Sequence, residues 1–475
     1  MTGAPLRLFN SLSRELEDFT PVHPGEARVY TCGPTVYAWQ HIGNMRAYVF
    51  ADTLGRVLSW KGLKLRHVIN ITDVGHLTSD ADDGDDKLEK AAAKAGKSAW
   101  DVASFYTDAY WADIDRLNIR QPFKWTIATE YVPAMIEFAR SIADKHCYQL
   151  TSGLYFDTST VPDYGRLARA ETLAGEGRIE AVEGKRHATD FAIWRTTPPG
   201  ESRQMEWDSP WGRGAPGWHL ECSVMSEAVL GLPFDIHTGG IDHREIHHPN
   251  EIAQNQARCG TPDTGARLWM HNNFLIDRGG KMSKSSGEFL RLQLLVDRGF
   301  HPLAFRLMCL QAHYRSELEF SWDSLAAALT RLKRMVMAAE KLPADGADVR
   351  AKALAAELDA FDAALSDDLN TPLALTYLEA ALTTKAYPAA ERRTAVARMD
   401  AALGLKLFDV TRADLRLRPA EATIDEDEIA ARLEARKAAR ADKDFATSDR
   451  IRDELKAAGV EVMDGDPLGW EWALG

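Results

Sequence analysis

The sequence predicts an α/β protein built on a parallel sheet, followed by a helical half and a small terminal module. Three observations predict it. A strand-like run from Ala27 to Thr31 ends in the turn Cys32-Gly33-Pro34-Thr35. Val49, Phe50, Thr53, Leu54, Val57 and Leu58 then recur with the spacing of one helix face. Leu65 to Ile71 is a second strand-like run. Strand, turn, helix and strand make a βαβ unit, so the sheet is expected to be Rossmann-like, with ligands beyond its strand ends.

The later elements follow in order. Asp80 to Asp86 holds five aspartates and reads as a solvated loop. Glu89 to Asn118 reads as helical. Between about 120 and 215 the pattern breaks into short strands, with Gly153 to Phe156 as one of them, and reads as an insertion that divides the sheet. The sheet resumes with a helix from about Glu221 to Leu230, a strand at Phe234 to His237, a helix from Pro249 and a strand near Trp269. The chain turns helical from Pro302. Ser321 to Leu342 and Ala351 to Leu365 are amphipathic, and Pro372 and Pro388 punctuate this bundle. Thr411 to Thr423 reads as a linker. Helices near Glu428–Arg440 and Phe445–Ala458 then build a terminal module.

Composition narrows the function. The 475 residues are 45% hydrophobic and 27% charged, an ordinary globular balance with ample core. No run of about 18 apolar residues predicts a membrane span. No secretory signal is read at the N-terminus. Five scattered cysteines do not make a disulfide framework, and a reducing cytoplasm fits them. A net charge of −13 argues against indiscriminate nucleic-acid binding, yet leaves room for a local basic patch on one folded RNA.

Two short strings carry chemistry. His41-Ile42-Gly43-Asn44 opens the first helix, where free backbone N–H groups and the positive dipole end suit a triphosphate. His41 and Asn44 can donate to phosphate oxygens; they can equally cap the helix. Lys281-Met282-Ser283-Lys284-Ser285 lies far downstream, flanked by Gly279, Gly280 and Gly287. Its ammonium groups could follow charge building on a leaving pyrophosphate. Together the strings point to ATP held from two sides. Gly239-Gly240-Ile241-Asp242 follows a strand, and reads either as a tight turn or as a place where a planar group meets the backbone and an acid holds ribose hydroxyls. Cys32, Cys222, His247 and Glu251 are candidate zinc ligands at converging strand and helix ends, although spacing alone does not establish them. Trp218 reads as a core residue or as one that closes over a substrate. His219, His237, His243 and His248 stay ambiguous.

These residues resemble the cysteinyl-tRNA synthetase family of class I aminoacyl-tRNA synthetases. Tyr30 to Tyr37, Pro216 to Ser223 and His247 to Gln254 are similar to its three zinc-ligand segments. His41–Asn44 and Lys281–Ser285 match its two ATP motifs. Asp368-Leu369-Asn370-Thr371-Pro372 resembles its helical-domain marker, and Lys443-Asp444-Phe445-Ala446 with Asp449, Ile451 and Arg452 its terminal module. The likeness spans nearly the whole chain. Pro249, Glu245-Ile246 and the stretch Gly75 to Gly84 depart from the family pattern.

The resemblance implies ATP-dependent activation of L-cysteine to cysteinyl-adenylate and its transfer to the 3′ end of tRNA(Cys). It implies one zinc per chain on Cys32, Cys222, His247 and Glu251, binding the substrate thiolate, and ATP with Mg²⁺ as substrate. His41, Asn44, Lys281 and Lys284 are the expected catalytic residues, joined at ATP by Gly239, Gly240 and Asp242. Trp218 and Thr72 are expected beside the amino acid. Residues 1–120 and 216–320 are the expected halves of the catalytic domain, 121–215 its connective insertion, 321–410 a tRNA-binding bundle and 424–475 an anticodon module. A cytoplasmic monomer without membrane contact is expected. A cysteine ligase with a small-molecule amine acceptor is the alternative enzyme, and a non-catalytic RNA-binding relative the alternative class.

Overall fold

A computed structural model describes residues 3–74, 87–168, 183–261, 265–277, 280–281 and 290–474, with backbone alone at 277, 280 and 281. The aspartate loop, the stretch Gly75 to Gly84 and most of the lysine-serine loop lie outside these residues.

A hairpin, β1 (Arg7–Asn10) and β2 (Glu15–Asp18), precedes the first predicted strand and was not legible in the sequence. It packs on the sheet through Ser11 N, which donates to Trp269 O at 2.8 Å. Then come β3 (Glu26–Thr31), α1 (Ile42–Trp60) and β4 (Lys64–Ile71), the predicted βαβ unit. The helical stretch after it is two helices, α2 (Lys87–Ala95) and α3 (Ala99–Arg116). Ser98 and Asp101 form a capping box that restarts the chain as α3, a signal present in the sequence.

β5 (Lys124–Ile127) pairs in parallel with β4. The sheet therefore runs past the boundary expected at residue 120. After α4 (Val132–His146), the strands β6 (Cys147–Leu150), β7 (Gly153–Phe156), β8 (Phe191–Thr196) and β9 (Gly214–Pro216) form a separate antiparallel sheet. The chain returns through α5 (Trp218–Leu230), β10 (Phe234–Gly240), α6 (His247–Cys259) and β11 (Ala266–Asn272). The five-stranded sheet has the order β11-β10-β3-β4-β5, all neighbours parallel. The strand order reverses between β3 and β10, and the ends of those two strands make the crevice where such sheets bind ligands.

Beyond the sheet, β12 (Leu275–Asp277) pairs with β13 (Gly280–Lys281) and, after α7 (Leu292–Asp297) and α8 (Pro302–Leu310), with β14 (Leu318–Glu319). The bundle is α9 (Trp322–Ala339), α10 (Lys352–Ser366), α11 (Thr371–Thr383) and α12 (Ala389–Leu403). The terminal module is α13 (Glu426–Ala441), α14 (Phe445–Ala457) and the hairpin of β15 (Val460–Val462) and β16 (Trp470–Trp472). It has its own small core of Ile424, Ile429, Ile451, Leu455, Val460, Trp470 and Trp472. The segment read as a linker is not passive. Arg412 pairs with Asp466 at 2.6 Å and Glu471 at 3.0 Å, and Arg416 lies 3.7 Å over the Trp470 ring.

Buried charge ties the halves together. Arg306 of α8 is fully buried and donates to Asp52 Oδ2 of α1 at 2.6 Å; Arg56 donates to the same oxygen at 2.7 Å. Removing one partner leaves a buried charge unmet. Arg306→Leu is expected to cost about 3 kcal/mol in urea unfolding. His67 supplies a pH test. Its ring meets Thr31 Oγ1 at 2.8 Å, and burial pushes its pKa down to about 4. The unfolded chain binds that proton near pH ~6.5. Stability should fall as pH drops from about 6.5 to about 4, and His67→Gln should remove one proton's share of that slope in pH-dependent unfolding.

Candidate active site

The crevice between β3 and β10 opens into a cavity of about 610 Å³, a size that suits a nucleotide or a comparable ligand. Helix α1 points its N-terminus at it, and His41, Gly43 and Asn44 line the wall. The capping alternative is realised. His41 Nδ1 accepts from Gly43 N at 3.0 Å, and Asn44 Oδ1 accepts from His41 N at 3.2 Å. Capping uses the acceptor atoms of both side chains. It assigns the ring proton to Nε2 and leaves the Asn44 amide N–H groups as donors, so capping and phosphate binding do not compete.

Cys32, at the end of β3, and Trp218, at the start of α5, line the same cavity. Behind them the ligand atoms of Cys32, Cys222, His247 and Glu251 all lie within 4.8 Å of one another, every residue buried. The helices that carry them differ from expectation at their starts. α5 begins at Trp218, so Cys222 sits in its second turn instead of opening it. α6 begins at His247, so Glu251 sits one full turn on, and the two share a face. Cys32 Sγ is 3.9 Å from Cys222 Sγ, and His247 Nε2 is 3.2 Å from Glu251 Oε1.

The donors fit a metal ion. Glu251 Oε1 is buried yet makes no hydrogen bond, while Oε2 meets His237 Nε2 at 2.9 Å. Burial pushes both the Cys32 and the Cys222 thiols up, and a divalent cation would reverse that and hold them as thiolates. A second set, Cys32, His237, His248 and Glu251, is equally compact. The first set supplies two sulfurs, which suits a softer ion. In the second, His248 Nε2 stands farther from Glu251 Oε1, at 3.9 Å.

The ambiguous histidines support this cluster. His219 Nδ1 meets His247 Nδ1 at 2.8 Å, which aims the other nitrogen of His247 at Glu251. His248 joins Cys32 Sγ at 3.4 Å to His271 at 2.8 Å, and His271 joins Ser11 at 2.8 Å; burial holds both rings neutral. His271 carries no signal in the sequence, because only the pairing of β10 with β11 brings it near. The doubled His247-His248 was the available signal for its partner.

Two expected residues stand elsewhere. Thr72 is buried behind the cavity wall. Its hydroxyl donates to Glu221 Oε2 at 2.9 Å and accepts from Asn70 Nδ2 at 3.1 Å, and its backbone bonds Pro34 and Val36. Its visible work is holding the loop after Cys32. Gly239 is not among the described lining residues; a Cβ there would fall 2.6 Å from His243 Nδ1 and 2.8 Å from His248, so glycine makes room for imidazoles. Gly240 and Asp242 do line the cavity. The backbone of Lys281 pairs with Ile276 of β12, next to the lining residue Leu275. Its side chain and all of Lys284 lie outside the described residues. Among the described residues, no helix is long and apolar enough to cross a membrane. Cys222→Ser is expected to lower the bound metal measured by elemental analysis at least tenfold at limiting metal, because an alcohol replaces a thiolate.

Comparison with known proteins agrees with this geometry. The family described as tRNA synthetases class I (C) catalytic domain matches residues 18–330, and the cysteinyl-tRNA ligase anticodon binding domain matches residues 426–467. A cysteine--tRNA ligase of Novosphingobium aromaticivorans is 70% identical, the match covering 99% of this chain and 98% of that protein. One from Zymomonas mobilis is 55% identical over 99% and 98%. In fold, the chain resembles the Mycobacterium tuberculosis methionyl-tRNA synthetase solved with methionyl-adenylate, at TM-score 0.54 and 15% identity over 79% of this chain and 88% of that one. With a family match across most of its length and relatives this similar from end to end, the chain belongs to the class I cysteinyl-tRNA synthetase family.

Proposed function

We propose that the protein is a cysteine--tRNA ligase, which activates L-cysteine with ATP and passes the cysteine to the 3′ end of tRNA(Cys). The observation that carries this reading is a single cavity bounded by Cys32 and Trp218 on one side and by the His41–Asn44 helix start on the other. A thiol-selecting cluster and a phosphate-binding helix end thus face one volume. Membership of the family and the two matched domains support it.

Each residue has a task. Magnesium-bound ATP lays its phosphates at the N-terminus of α1, where His41 and Asn44 donate to them, while Gly240 and Asp242 receive the nucleoside at the end of β10. Lys281 and Lys284 meet charge that builds on the departing pyrophosphate. Cys32, Cys222, His247 and Glu251 hold zinc, four ligands of the usual kinds, and the bound ion supplies a soft Lewis acid that prefers a thiolate to an alcohol. Cysteine and serine differ by one atom, too little for a shape pocket to separate well, so selection rests on that preference. Trp218 lies 4.3 Å from the His247 ring and covers the side chain from the cavity side. The catalytic domain is divided by the antiparallel insertion, the bundle carries the tRNA body, and the terminal module reads the anticodon end.

Cysteine-dependent ATP–pyrophosphate exchange, followed by charging of tRNA(Cys), tests the reading. Exchange is expected with cysteine and not with serine; absence of cysteine-dependent exchange in the metal-loaded protein overturns it. Lys284→Ala is expected to slow exchange about 100-fold or more with little change in cysteine affinity, since its contact belongs to the transition state. A chain ending at Pro419 should keep exchange and lose most charging. Lys333, which pairs with Glu471 at 2.7 Å, and Arg412 would then turn to solvent, so the fragment's fold is checked by its unfolding transition.

A further inference from the structure

Beyond Trp39 the rim of the cavity continues into an aromatic patch that amino-acid activation does not use. Trp39 lines the cavity. Phe105 meets its ring edge-on at 5.6 Å and Tyr106 at 5.8 Å, and these two meet each other at 5.1 Å. Both come from α3, whose apolar positions Val102, Ala103, Tyr110 and Ile114 are buried in the core. Phe105 departs from them: it is 49% exposed, a large ring half in water beside a ligand cavity.

Cations gather on this patch. The Arg291 guanidinium lies 5.1 Å from the Trp39 ring centre, and the Lys97 ammonium lies 5.6 Å from that of Phe105. Both are within cation–π range. Lys87, which also lines the cavity, stands 5.4 Å from the Tyr37 ring. On a chain of net charge −13, three cations stand along one aromatic rim. Asp101 and Asp108 lie one turn to either side of Phe105 on α3 and repel phosphate there. The patch thus offers a ring face to a base, with positive charge at its edges for the backbone.

We propose that Trp39 and Phe105 form a stacking platform for the unpaired terminal nucleotides of an RNA strand, with Arg291 and Lys97 taking its phosphates. Aromatic faces interleaved with cations are what single-stranded nucleic acid needs: every base has a π-face, and the strand's charge is met beside it. A paired base is already stacked and cannot use such a face. Continuity with the cavity gives the platform its purpose, because a terminal ribose hydroxyl must enter past this rim to reach activated cysteine. The inference rests on the proposed tRNA acceptor, and names the part of it that this surface holds.

The test uses the full-length chain, metal-loaded, with intact tRNA(Cys) and with the same tRNA trimmed of its unpaired 3′ nucleotides. Phe105→Ala should leave cysteine-dependent pyrophosphate exchange within about twofold, and should weaken binding of intact tRNA and its charging about tenfold, the scale of one lost base stack. Phe105→Trp should restore both. Trimmed tRNA should bind the wild type and Phe105→Ala alike. Lys97→Gln should flatten the salt dependence of intact-tRNA binding. Normal charging by Phe105→Ala, or an equal loss with trimmed tRNA, overturns the platform. A change of oligomeric state in Phe105→Ala assigns the patch to a second copy instead, and also overturns it. Failure of the wild type to exchange or charge at all is a different result, and strikes the ligase reading beneath.

Discussion

Asp52 sits in the middle of α1, 3% exposed, and takes every donor that faces it: Arg306 and Arg56 on one oxygen, the Arg120 backbone at 3.0 Å on the other. Burial would push its carboxyl up; the two guanidiniums outweigh that and hold it below the usual carboxylate range. The remaining donors of the arginines end on carbonyls of Leu403, Leu117, Asn118 and Ala401. One carboxylate therefore locks α1 to α8, to the end of α3 and to the end of α12. A further arginine, Arg46, makes a second clamp one turn from the cavity. It is buried and, among the described residues, has no acid as a hydrogen-bond partner, donating to the backbone of Asn273, Phe274, His313 and Ser316. Charges so enclosed are expensive to disturb, so α1 has little freedom to shift or turn.

That rigidity matters because the first turn of α1 forms one wall of the cavity. A dipole and a few N–H groups act only at close range and fixed direction. The clamp by Arg46 also holds the loops around β12 and β14, and β12 is the strand on which Lys281 pairs. The start of α1 and β12, far apart in the chain, thus share one anchor.

The opposite wall depends on close packing. Gly33 follows Cys32, and a Cβ there would fall 1.6 Å from the Asn70 carbonyl oxygen, so only glycine lets β3 and β4 close at this point. Asn70 in turn accepts from Gly33 N at 2.7 Å and supports Thr72. Cys32 is placed by that loop, Cys222 by α5, and His247 with Glu251 by α6. The four side chains thus come from three elements, and His219 and His237 brace His247 and Glu251 from behind.

Much of this was legible in the residues. The 3.6-residue period in α1, the turn after β3, the His247–Glu251 spacing and the two ATP strings are local features, and local features survive in any fold that contains them. They sufficed for the α/β class, the ligand end of the sheet and the candidate ligands. Other features belonged to tertiary structure. The β1–β2 hairpin is short and only partly apolar, so no period marks it. The roles of Thr72 and Gly239 turned on which side chains crowd them, and the link from His271 to Cys32 turned on strand order. That His41 and Asn44 cap the helix through their acceptor atoms is visible only in the folded chain. The sequence by itself determined which chemical groups are present and how each repeats along its own element. Only the tertiary structure decided which of them meet, because contacts between elements depend on register and burial that no local spacing encodes.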